Sequence, residues 1–396
     1  MDIIEDLKLK LNTLILFRPM LNDKVMMRLT ELLESIAIQN TVEAQVTAYC
    51  AFASELYQTT DNWSVYLLGL MLRCETPYVA LKAKGAEISS MLEESMAHEL
   101  NVLDHAARLT SAEIRAKLEY FDYLPDWKTE RIDFPSCYAQ RMQDLPRRGY
   151  GIFSEYGFFT CDSGVLRPIA SPDPIRLADL KEYREERKTI VENTVALLDG
   201  KPASNVLLYG DAGTGKSSTV KAIVNEYSAK GLRLIEVKKE HLNDIPLILQ
   251  QIEGNPLKFI LFIDDLSFEG EHGEFNALKA VLEGSVAAKP ANLVVYVTSN
   301  RRHMVKESAS DRAGDDMHRN ETIQQMTSLS DRFGLSVGFF QPDKQQYLSI
   351  VRKLKEQHGL LIPDAELEMQ AEAYALRRGG RSPRTAKYFI EQLLSK

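Results

Sequence analysis

Lys216 is the residue whose surroundings point most directly to chemistry. It closes the run Gly210-Asp211-Ala212-Gly213-Thr214-Gly215-Lys216-Ser217-Ser218, which matches G-x-x-x-x-G-K-[ST] in full. Glycines at those spacings let backbone N–H groups curl around phosphates, and a helix starting at the lysine adds positive potential. Lys216 then supplies a point charge to the β- and γ-phosphates, and the Ser217 hydroxyl is a ligand for Mg²⁺. The apolar strand Asn205–Tyr209 runs into the loop and a helical pattern through Ala222, Ile223 and Tyr227 leaves it, the context that the motif requires. The implied ligands are the phosphates of a nucleotide and Mg²⁺, with residues 210–218 as the binding loop.

Downstream, a continuous apolar run, Phe259–Ile263, ends in Asp264-Asp265. A strand buried on both faces reads this way, and an acid at its C-terminal end points into the crevice where α/β folds hold ligands. Asp264 is the expected metal carboxylate beside Ser217. Asp265 is placed to orient or polarise an attacking water, a role that often falls to the longer Glu. A third run, Leu293–Val297, leads to Thr298-Ser299-Asn300, and Asn300 is expected to reach the γ-phosphate or the water. The stretch from His303 to Ser328 holds Asp311, Asp315, Asp316 and His318, but a polar loop of this composition reads as solvated chain and not as a metal site.

Two arginines complete the set. Arg332, in Ser330-Asp331-Arg332-Phe333-Gly334, precedes a last strand, Leu335–Phe340. It fits a structural ion pair and a phosphate contact equally well on spacing alone, the latter offered to a neighbouring subunit. Arg384 follows Ser382, an N-cap residue, and Pro383, suited to a first helical position. A cation in that first turn opposes the helix dipole unless an anion lies nearby, and a nucleotide phosphate would be one.

These residues need elements to hold them. From 176 onward strands and helices alternate, which predicts an α/β fold, a parallel sheet covered by helices. Residues 176–340 are the expected nucleotide-binding core and 341–396 a small helical lid. Residues 1–135 read as an all-helical N-terminal domain: Leu7, Leu11 and Leu14, then Val25, Leu29, Leu32, Leu33 and Ile36, fall at helical spacing. Thr110-Ser111-Ala112-Glu113 is a capping box opening a helix through Leu118. Between them, 136–175 reads as a β-hairpin, turning at Asp162-Ser163-Gly164, and an extended proline-rich linker.

Composition narrows the alternatives. A net charge of −8 gives no chain-wide basic footprint for nucleic acid. Four widely separated cysteines, with no CxxC, argue against structural zinc and a disulfide framework. The start Met1-Asp-Ile-Ile-Glu lacks a basic n-region, and Leu11–Met20 is far short of the roughly 20 apolar residues that a bilayer needs. A cytoplasmic protein without membrane contact is expected.

Taken together, Gly210–Ser217, Asp264-Asp265, Asn300, Arg332 and Arg384 resemble the AAA+ ATPase module of the P-loop NTPases over about 175–396. The resemblance implies Walker A and Walker B roles, sensor 1, arginine finger and sensor 2 in that order. The double Asp and the Arg-Phe-Gly are similar to replication-initiator and helicase-loader branches. The strings FILFIDDLSF, TSNRRH, LSDRFGL and GGRSPRTAKYF, with RGYGIFSEYGFF and PDPIRLADLKEY upstream, resemble more closely an uncharacterised bacterial AAA+ family known as a domain of unknown function. By that resemblance Leu177–Tyr183 borders the adenine. The first reading of the chain is an oligomeric ATPase, a homo-oligomer in which Arg332 of one subunit completes the site of the next, hydrolysis moves the lid, and residues 1–135 transmit that motion to a protein partner. Lys238-Lys239-Glu240-His241 lacks an aromatic-hydrophobic-Gly pore signature, which argues against a threading unfoldase. A nucleotide-gated assembly module with little hydrolysis, and a loader acting on nucleic-acid complexes, are the alternatives.

Overall fold

Apolar side chains at helical spacing in the first third fold into a helical unit with its own core. The structure, a computed structural model, describes residues 2–266, 282, 290–300 and 332–395. Two compact units divide them: Met1–Glu155 with Gly254–Pro256, and Tyr156–Glu253 with Leu257–Lys396.

The first unit contains α1 (Ile3–Asn12), α2 (Lys24–Ala37), α3 (Val42–Tyr57), α4 (Trp63–Arg73), α5 (Pro77–Ala83), α6 (Ser90–Ala106), α7 (Ser111–Arg115), α8 (Phe134–Gln143) and α9 (Leu145–Arg148). Its core is anchored by aromatics. Phe52 meets Trp127 edge-on at 5.0 Å between ring centroids, and Trp63 at 5.4 Å. Both indoles are satisfied, Trp63 Nε1 donating to Ala106 O at 2.8 Å and Trp127 Nε1 to Leu109 O at 3.0 Å. A buried carboxylate needs donors, and Glu99 finds them in the backbone N–H groups of Ile15, Leu16 and Phe17. The Thr110–Glu113 capping box forms, but α7 ends at Arg115, short of the expected Leu118.

The second unit is built on a seven-stranded sheet: β1 (Phe158–Asp162), β2 (Val165–Pro168), β3 (Val206–Gly210), β4 (Leu232–Glu236), β5 (Lys258–Ile263), β6 (Leu293–Ser299) and β7 (Leu335–Phe339), in the order β2-β1-β4-β5-β6-β3-β7. All neighbouring strands are parallel except β1 and β2. The β3, β5 and β6 strands carry the apolar runs seen in the sequence, and β6 is buried throughout. Helices α10 (Arg184–Leu198), α11 (Lys216–Tyr227) and α12 (Ile245–Ile252) accompany the sheet. The lid is α13 (Lys344–Gln357), α14 (Asp364–Arg377) and α15 (Pro383–Leu394), closed around Tyr347, Val351, Leu367 and Ile390. The architecture is a P-loop α/β core with a helical lid.

The units divide at Glu155 and Tyr156, not across a connecting segment 136–175. The hairpin is part of the sheet: β1 pairs in parallel with β4, Phe158 opposite Leu234, and buries Phe158, Phe159 and Cys161. Its turn, Ser163-Gly164, has positive φ at both positions, +53° and +78°, the twist that a two-residue hairpin loop prefers. No helix among the described residues is long and apolar enough to cross a membrane.

Candidate nucleotide site

The loop between β3 and α11 is shaped by glycines at positive φ, where a side chain would be strained. Gly210 has φ +120°, and a Cβ there would lie 2.2 Å from Phe339 O on β7. At Gly213, with φ +76°, a Cβ would come within 3.2 Å of the Arg384 Cβ and the Ser382 Oγ of the lid. Gly215, also at positive φ, is the N-cap of α11, so Lys216 is its first residue.

Lys216 is 5% exposed. Its Nζ donates to Gly210 O at 3.0 Å, to Asp211 O at 2.7 Å and to Asn300 Oδ1 at 2.9 Å. Burial holds its pKa below the ordinary lysine value, against the pull of Asp211, Asp265 and Asp264, while Arg384 adds to the lowering. Asn300 in turn donates from Nδ2 to Asp265 Oδ1 at 2.5 Å. Ser217 Oγ donates to Asp264 Oδ1 at 2.5 Å. Strand β5 thus delivers both acids, and the end of β6 delivers Asn300, to the lysine at the head of α11.

Thr298 was not among the residues singled out in the sequence, and it ties the two acids together. Its hydroxyl donates to Asp264 Oδ1 at 2.6 Å and accepts from Asp265 N at 2.8 Å. Asp265 adopts φ +53°, a left-handed conformation that a non-glycine residue adopts at a cost. The threonine is the tether that holds it there. In the sequence, a buried threonine ending a β run is indistinguishable from ordinary strand composition.

The rest of the loop is fixed from β7 and the lid. Asp211 N donates to Phe339 O at 2.9 Å, and its carboxylate accepts from Gln341 N at 2.7 Å. Thr214 Oγ1 donates to Asp211 O at 2.8 Å. Ala212 is exposed at the loop tip, and Ser218 lines the adjoining cleft. Ser382 caps α15 by accepting from Thr385 N at 3.0 Å. That places Arg384 in the first turn, where its N–H donates to Gly213 O at 3.2 Å. Its side chain makes no ion pair among the described residues.

The cleft beside the loop has a volume of about 500 Å³. Gly213, Thr214, Gly215 and Arg384 form its polar end, and Ile175, Leu180, Ile350, Leu354 and Tyr388 its apolar wall. Leu180 and Lys181, from the expected adenine-bordering segment, line it. Asn225 on α11 anchors the approach, donating to Asp173 O and Ile175 O at 2.8 Å each. Arg332 lies half-buried in the turn before β7 and does not line this cleft. Asp311, Asp315, Asp316 and His318 lie outside the described residues.

Oxygen donors suit a hard divalent cation such as Mg²⁺, and the Ser217 hydroxyl and Asp264 carboxylate converge on one point at the loop's edge.

The chain is similar to the 26S proteasome regulatory subunit 4 homolog of Saccharomyces cerevisiae, 39% identical over 75 residues, 18% of this chain and 17% of the relative. It is similar to an ORC1-type DNA replication protein of Methanocorpusculum labreanum, 26% identical over 185 residues, 43% of this chain and 41% of the relative. It therefore spans less than half the length of these curated relatives. Similar solved structures include AMPPCP-bound DnaA from Aquifex aeolicus, at TM-score 0.38 and 16% identity over 56% of this chain and 65% of that one. The Thermotoga maritima RuvB Holliday junction branch migration motor aligns at TM-score 0.34 and 16% identity, over 56% of this chain and 72% of that one. One family is matched across the whole stretch that carries Lys216, Asp264, Asp265 and Asn300: a model described as "Protein of unknown function (DUF815)" covers residues 154–396, and the chain belongs to that family.

Proposed function

We propose that this protein is a cytoplasmic AAA+ ATPase that binds and hydrolyses ATP with Mg²⁺. The observation that carries this reading is the hydrogen-bonded chain from Lys216 through Asn300 to Asp265, beside the Ser217–Asp264 pair. Lys216 and the loop N–H groups bind the β- and γ-phosphates, and the apolar wall from Ile175 to Tyr388 takes the base. Ser217 and Asp264 would hold Mg²⁺, which would supply positive charge to the phosphate oxygens. Asp265, as a carboxylate, accepts a hydrogen bond from the attacking water and draws on its proton. Asn300 orients that carboxylate and touches the γ-phosphate end. Arg384 carries the phosphate contact into the lid, so nucleotide occupancy and lid position are linked.

Arg332 serves a neighbouring subunit in a homo-oligomer, and lid and subunit movement act on a protein partner through residues 1–135. The relatives' names include a proteasome subunit and DNA replication proteins, and a loader acting on nucleic-acid complexes is the less favoured variant of this reading. A nucleotide-gated module with slow turnover is the second reading. It is favoured by the short side chain of Asp265 and by its engagement with Asn300 at 2.5 Å. Calorimetry with ATP and Mg²⁺ tests the site: Lys216→Ala should lose most ATP affinity while retaining the fold. Equal affinity in wild type and variant would overturn the assignment.

A further inference from the structure

Helix α10 sorts its charges. Arg184, Arg187, Lys188 and Val191 recur at i, i+3, i+4 and i+7 and share one face, whereas Glu185, Glu186 and Glu192 fall outside that arc. The cationic face lines a second cleft, of about 440 Å³, to which Lys181 and Lys353 add further ammonium groups. One carboxylate, Glu182, lines it too, and that carboxylate is already matched, accepting from Ser349 Oγ at 2.9 Å and from Lys353 Nζ.

Arg187 sits deepest. It is 9% exposed, gives one N–H to Leu180 O at 3.0 Å and makes no ion pair among the described residues. Burial lowers its pKa, with Glu186 and Glu182 pulling the other way. A guanidinium carries five donors in a fixed plane, and Leu180 O takes one of those of Arg187, which leaves others for a ligand in the cleft. The cleft therefore carries Lys181, Arg184, Arg187 and Lys188 in excess of the one Glu182–Lys353 pair that also lines it.

We propose that this cleft binds a compact, multiply charged phosphate compound, an inorganic polyphosphate or the phosphate end of a small phosphorylated molecule. Arginine forks pair two phosphate oxygens at once, and the lysines add point charge around them. A cleft of about 440 Å³ falls within the range of small-ligand sites, roughly 300–1,000 Å³. The site is distinct from the phosphate loop, but Leu180, Lys181 and Arg187 line both clefts.

Inorganic tripolyphosphate, titrated calorimetrically into the full chain, tests this. The titration uses Lys216→Ala, to weaken the phosphate loop. One saturable, salt-sensitive site should remain. Adding Arg184→Ala and Lys188→Ala, both at exposed positions, should weaken it roughly tenfold or more. The charge-keeping pair Arg184→Lys and Lys188→Arg should retain most of the affinity, which separates lost charge from damaged fold. Absence of the site in Lys216→Ala, or affinity indifferent to Arg184 and Lys188, would overturn the proposal. So would tighter binding of a single-stranded oligothymidylate through the same two residues, which would make the face a nucleic-acid contact.

Discussion

Replacing Thr298 by valine keeps the shape of the side chain and removes one oxygen. That oxygen donates to Asp264 at 2.6 Å and accepts from the Asp265 N–H at 2.8 Å. A hydrogen bond to a charged group is worth about 1.5–3 kcal/mol, and an unmatched buried N–H costs about 1–3 kcal/mol. Both acids are exposed, so water relieves much of the second effect and places the first near the lower end of its range. If about 1.5 kcal/mol of positioning is lost in the transition state, turnover falls about tenfold. Thr298 does not line the cleft proposed to take the base, so KM for ATP should change little. A steady-state phosphate-release assay, run against ATP concentration, reads both parameters. Thr298→Ser restores the hydroxyl and should return kcat to near the wild-type value, whereas a merely structural threonine would show a loss of melting temperature without this pattern. Wild-type kcat in Thr298→Val, or no rescue by serine, would refute the tethering argument.

Two further outcomes concern Glu182 and Arg332. Glu182 is held below its ordinary pKa of 4.5, chiefly by its hydrogen bond with Lys353 and then, against the cost of burial, by Ser349 on the lid. A lowered carboxylate pKa contributes stability that is fully present above about pH 4.5 and is lost as pH falls through the lowered value. Glu182→Gln should therefore melt lower than wild type at neutral pH and show a shallower further loss on acidification, and parallel pH–melting curves would count against a stabilising role for the Glu182–Lys353 pair. If Arg332 acts in trans, Arg332→Ala and Lys216→Ala preparations, each inactive alone, should recover part of the ATPase activity when mixed. A loss on the order of 10³–10⁵ is typical where such an arginine is removed, and a mixture that stays inactive although subunits exchange would assign Arg332 to a structural role.

The residues that the sequence made legible are those whose chemistry is encoded over a few neighbouring positions. The glycine spacing around Lys216 fixes a loop, and the apolar run before Asp264 fixes a buried strand with its acids at the end. What escaped depends on distant pairing. The hairpin at Phe158–Pro168 looks like a connector because nothing local says that it will pair with β4. Thr298 is ordinary strand composition until Asp264 and Asp265 are brought beside it. The apolar wall of the cleft joins Ile175 to Ile350, Leu354 and Tyr388, positions far apart in the chain. The cationic face of α10 is hidden by the glutamates interleaved with it, and emerges only when the charges are laid on a helix.

The claim that this is a hydrolytic site is tested most directly at Asp265, because asparagine there keeps shape and a hydrogen-bonding group while removing the charge that draws on water. ATP binding and single-turnover phosphate release should be measured side by side on wild type and Asp265→Asn. The expected result is ATP affinity close to wild type with release slowed by roughly a hundredfold or more, within the span over which a positioned acid–base group accelerates a reaction. Phosphate release at the wild-type rate from Asp265→Asn would contradict the account.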